Sequence, residues 1–118
     1  MQDRHKHSLS ALFSSPSLSR AERLRTFASL NLGFVESLAN GLLSATRVVE
    51  LFYHADNCLY VSETLKDQTA DSIMGHGVQL PDLFDALPTE IAQREFLFEL
   101  AAMRKLCMKL LAADRQFA

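Results

Sequence analysis

The chain has 118 residues and is 48% hydrophobic, with eight Phe, two Tyr, no Trp, four Gly, three Pro and two Cys. That is enough apolar matter for one core of ordinary size and too short a chain for a second domain. The net charge of −2 hides a polarised molecule, because residues 48–100 carry ten acids and two bases while residues 1–25 and 101–118 are each net +3.

Residues 1–18 read as a flexible polar arm. It is rich in serine, contains Pro16, and shows little apolar periodicity in Leu9, Ala11, Leu12 and Phe13. The apolar residues are broken by serines, so no signal peptide is predicted. From residue 19 to 118 a helical domain is expected. Ser19 and Glu22 stand three apart in the form of a capping box. Leu24, Phe27, Phe34, Val35 and Leu38 then recur at helical spacing, and Asn40 and Gly41 supply a stop. Gly33 inside this helix costs about 1 kcal/mol relative to Ala and predicts a close helix crossing.

Ser44 is placed to cap a second helix carrying Val48, Val49, Leu51, Phe52 and Tyr53 up to His54 and Ala55. Residues 56–66 are expected to begin another helix, with a short strand at 58–61 as the alternative. A short helix opens at Thr69 or Asp71 and stops at Gly75 and Gly77. Pro81 then begins another, Asp82 to Leu87, in the first-turn position that suits proline. Thr89 opens the last helix, whose stripe of Ala92, Phe96, Leu100, Met103, Cys107 and Leu110 is broadened by Leu97, Arg104 and Leu111. The expected fold is all-α: a single-domain antiparallel helical bundle of about four main helices plus short helices.

His54 and Cys58 stand four apart, but two ligands do not make a metal site, and only His76 or Cys107 is available to complete one. Cys58 and Cys107 are far apart and have no CxxC spacing, which predicts a reducing, cytoplasmic setting. No membrane span is expected, because no run of about 18 apolar residues occurs. No GxSxG turn, activated cysteine or phosphate loop is found, so neither an enzyme nor a cofactor is expected. A helix-turn-helix over residues 69–87 is disfavoured, since its second helix holds Asp82 and Asp85 and no base to meet DNA phosphates; nucleic acid is not expected as a partner.

The residues singled out for partner binding are Asp67, Asp71, Asp82, Leu83, Phe84 and Asp85. They place an apolar centre among acids, a pattern suited to a basic protein. The expectation is a small intracellular protein–protein interaction module with an acidic face. Immunity and antitoxin proteins, which occlude basic toxins, offer a comparison of size and charge without a shared motif. The alternative is a homo-oligomeric structural or regulatory protein, such as a homodimer, with Phe96, Phe98, Met103 and Leu106 between copies.

Overall fold

A capping box opens the first long helix: the Ser19 hydroxyl accepts from the Glu22 amide, and the Glu22 carboxylate accepts from the Ser19 amide at 3.0 Å. Hydrogen bonds from Ser19, its backbone N–H foremost, hold the Glu22 carboxyl below its ordinary range. The computed structural model describes residues 6–115. Its helices are α1 (Leu9–Leu12), α2 (Arg20–Ala39), α3 (Ala45–Leu51), α4 (Ala55–Tyr60), α5 (Gln68–Ala86) and α6 (Thr89–Arg115), with a π-helical turn at Val61–Leu65 between α4 and α5. No strand occurs among the described residues, so residues 58–61 resolve as helix.

Helix α6 packs against both α2 and α5. His76 meets Glu99 and Phe84 meets Phe96, so α5 and α6 run antiparallel. Glu36 meets Arg104, and Leu38, two residues on, lines one cleft with Phe96, so α2 also runs against α6. The apolar stripe of α6 serves both neighbours: Ala92, Leu100, Met103, Cys107 and Leu110 are buried. The short helices α3 and α4 pack with α5 and α1 around a core that includes Phe27, Val35, Phe52, Tyr53, Val61 and Leu65.

Three departures from expectation have physical causes. First, α5 is one helix of 19 residues with Gly75, Gly77 and Pro81 inside it. There is therefore no turn within residues 69–86, and the two-helix motif expected there is absent. Tertiary burial of Ile73, Met74, Gly77 and Leu80 carries the helix through its weak formers. Second, Gly33 marks no close crossing, since a Cβ there would meet nothing within 4 Å. The close approach is at Gly77, where a Cβ would lie 2.5 Å from Cδ1 of Tyr53.

Third, residues 6–13, within the segment expected as a flexible arm, pack on the core; residues 1–5 lie outside the described part. Leu9 is 1% exposed and Phe13 4% exposed, and fully burying such side chains is worth about 1.5–3 kcal/mol each. Buried Asn57 pins this segment: its Oδ1 accepts from the Leu9 amide at 2.9 Å, and its Nδ2 donates to the carbonyls of His7 (3.0 Å) and Phe52 (2.8 Å). The His7 amide donates to the Leu51 carbonyl at 2.8 Å. His54, expected at the end of the second helix, instead caps α4. Its Nδ1 accepts from the Asn57 amide while Nε2 donates to the His7 carbonyl at 2.8 Å, which assigns the hydrogen to Nε2.

Candidate partner-binding face

Helix α5 contains three carboxylates and no Lys or Arg. Asp71 and Asp82 are eleven residues apart, close to three full turns, and Asp85 follows by one more, so all three lie on one side over roughly 20 Å of helix. All three are exposed, with Val78 exposed between them. Asp67 does not join them. It caps α5 by accepting from the Ala70 amide at 2.9 Å, and it lies 3.7 Å from the Arg20 guanidinium. That guanidinium also donates to the Leu65 and Lys66 carbonyls, both at 3.1 Å, where Lys66 takes a left-handed φ of 50°. Asp67 is thus part of the fastening between the starts of α2 and α5.

The placement of Asp82 and Asp85 runs against helix electrostatics. Carboxylates favour the first turn of a helix and are disfavoured near its C-terminus, where the macrodipole is negative. Asp71 occupies the first turn of α5, but Asp82 and Asp85 occupy its end, and the last turn holds no base. Neither has an ion-pair or hydrogen-bond partner among the described residues. Leu83 turns inward and packs on the core, whereas Phe84 stays 43% exposed. Phe84 contacts Phe96 edge-to-face, ring centroids 5.3 Å apart.

Beside Phe84 opens a cleft of about 340 Å³. Its lining comes from the end of α2 (Leu38), the α2–α3 link (Leu43, Ser44), the start of α3 (Ala45, Thr46), the end of α5 (Pro81, Phe84, Asp85) and α6 (Phe96). The α2–α3 link also exposes Leu42, at 76%. Of the six residues singled out from sequence, Phe84 and Asp85 line the cleft, Asp82 lies one turn away, Asp71 marks the far end of the same side, Leu83 supports from within, and Asp67 is used structurally. Leu38, Leu43 and Thr46 were not legible as site residues, and Phe96 was read only as a contact between copies, because only the fold brings α2, α3 and α6 to the end of α5.

Reactive groups elsewhere are occupied or subdued. Burial pushes the Cys107 thiol up to about 11, and burial followed by the nearby Asp71 charge raises Cys58. His76 Nδ1 lies 2.8 Å from Glu99, half-buried between α5 and α6, and no hydrogen bond joins His76 to a hydroxyl or thiol among the described residues. Glu99 is thus a helix–helix contact. Among the described residues no three His, Cys, Asp or Glu side chains converge as metal ligands, and no helix is long and apolar enough to cross a membrane. No protein-family model matches the chain, and neither a curated protein nor a solved structure matches it.

Proposed function

We propose that this chain is a protein–protein interaction module that receives a basic protein on the exposed side of α5. The observation that carries the reading is the pair Asp82 and Asp85, whose carboxylates have no partner among the described residues and stand at the helix end where negative charge is least favoured, with the partly exposed Phe84 between them in sequence. A cationic partner neutralises both carboxylates and the helix C-terminus together, and Phe84 supplies an apolar anchor beside them. The negative field of residues 48–100 steers such a partner, which accelerates encounter in a salt-dependent way. Occlusion of a basic toxin by an immunity-type protein is the activity that fits this size and charge, and the two free thiols are in keeping with a reducing, cytoplasmic setting.

The test is capture of partners from source cells at low and high salt, with wild type and with Asp82→Lys/Asp85→Lys in parallel. The reading predicts a stoichiometric basic protein, weakened by salt and lost with the double variant, which keeps its helical circular dichroism. Equal capture by wild type and variant overturns it.

A second reading has its own observation. The outer side of α6 exposes Leu97 (58%), Phe98 (66%) and Met108, more apolar surface than a solvated helix needs. Self-association would use this side. The set expected from sequence is corrected, because Met103 is buried in the core, Phe96 and Leu106 pack against it, and only Phe98 faces outward. Sedimentation equilibrium decides: a concentration-dependent mass abolished by Phe98→Lys supports a homo-oligomer, and a monomer throughout removes it.

A further inference from the structure

Resting on the reading of α5 as the partner face, we infer that the cleft beside Phe84 is the seat of an arginine side chain of the basic partner. The cleft combines two chemistries that one residue type satisfies together. Its lining is largely apolar, from Leu38, Leu43, Pro81 and Phe96, with the hydroxyl residues Ser44 and Thr46 beside them and the exposed Asp85 on the α5 side; Asp82, one turn before Asp85, lies outside the lining. Arginine has an aliphatic stem that buries along apolar walls while its head stays at the rim. Its guanidinium is planar and weakly hydrated, forks onto a carboxylate and stacks on an aromatic ring.

Other occupants fit less well. A purely apolar anchor would cover Asp85 while leaving its charge unpaired, a costly desolvation. An acidic anchor meets the carboxylates and the helix C-terminus with the wrong sign. Lysine supplies the charge but neither the two-pronged geometry nor the flat face, so it binds more weakly at such a site. The cleft is within the size range of side-chain and small-ligand pockets, about 300–1,000 Å³. Arg47, the base nearest in sequence to the lining residues Ser44 to Thr46, is engaged with Glu50 at 3.3 Å and does not fill the role.

The experiment is a nuclear magnetic resonance titration of the full chain with acetyl-Gly-Arg-Gly-amide and with its lysine and citrulline counterparts. Methyl signals of Leu38 and Leu43 and ring signals of Phe84 and Phe96 report the cleft; the Asp71 amide reports the far end of α5. The expected result is saturable movement of the cleft signals by the arginine peptide, weakened roughly tenfold by Arg→citrulline or by Asp85→Asn, which is about 1.4 kcal/mol, and unaffected by Asp71→Asn. If a cationic peptide moves only the Asp71 and Asp82 amides while the cleft signals stay still, the arginine seat is overturned and the basic-partner reading stands. If no cationic peptide moves any α5 signal, both fall. Equal response to arginine and citrulline peptides assigns the cleft to neutral ligands and also overturns the inference.

Discussion

Tyr53 lays its ring against the bare backbone of Gly77, so close that a Cβ at Gly77 would sit 2.5–2.6 Å from three ring carbons. This contact joins the segment after α3 to the middle of α5, and it gives a glycine inside a helix a structural purpose.

The four glycines therefore differ in what alanine does. At Gly33 and Gly75 a Cβ meets nothing within 4 Å, so Gly33→Ala and Gly75→Ala are each expected to stabilise by about 0.5–1 kcal/mol through helix propensity. Gly77→Ala forces the ring or the helix to move and is expected to destabilise by about 1–3 kcal/mol despite the same propensity gain. Urea unfolding of the three variants checks the sign at each position.

The far end of the Tyr53 ring is equally constrained. Its hydroxyl donates to Asn31 Oδ1 at 2.6 Å, and Asn31 Nδ2 donates to the Phe27 carbonyl at 2.9 Å, all within the core. Tyr53→Phe leaves the Asn31 oxygen buried without a donor, at an expected cost of about 1–3 kcal/mol in equilibrium unfolding. A loss below the error of the measurement would show that Asn31 finds another donor.

Asn57→Ala removes the pin under the N-terminal segment. The Leu9 amide and the Phe52 carbonyl lose their Asn57 partner, and the expected cost is about 3 kcal/mol. The opening is local first: the Leu9 amide should exchange with solvent much faster than amides in α6. Uniform exchange across the chain would mean that the segment opens only with the whole fold.

Alkali should unfold the protein through its buried acids. Burial raises Cys107 from 9.0 to about 11, and burial followed by the Cys107 charge raises Tyr53 further still. Both groups are neutral when folded and ionise more readily when unfolded. Their contribution is thus complete below the unfolded values and lost as pH rises. Between about pH 9 and 11 stability should fall by at most about 1.4 kcal/mol per pH unit for Cys107 alone. Cys107→Ala should flatten this slope while lowering stability near neutrality, read by denaturant titration at each pH.

At the end of α5, stability and partner binding are expected to oppose each other. Asp82→Asn and Asp85→Asn remove charges from an unfavourable helix terminus, so each should stabilise the free protein by about 0.3–1 kcal/mol at low salt. Each should also weaken capture of a basic partner. Destabilisation instead would indicate that these carboxylates serve the fold.

Some elements were legible because their signals are local. The Ser19–Glu22 capping box, the Ser44 cap, Gly41 after α2 with its φ of 73°, and the buried stripe of α6 all act within a turn or two of chain, where periodicity and side-chain chemistry suffice. The same holds for Asp82, Phe84 and Asp85 as an apolar-acidic cluster on α5. The sequence by itself thus determined an all-α domain, most of its helix starts and the charge of its central segment. Tertiary structure decided the rest: α5 runs through Gly75, Gly77 and Pro81 because its neighbours bury it, Gly77 rather than Gly33 meets a ring, and Asp67 is drawn to Arg20. It also folded residues 6–13 onto Asn57 and assembled the cleft from α2, α3, α5 and α6. Each of these depends on partners tens of residues away, and burial against a distant surface leaves no mark in the spacing of neighbouring residues.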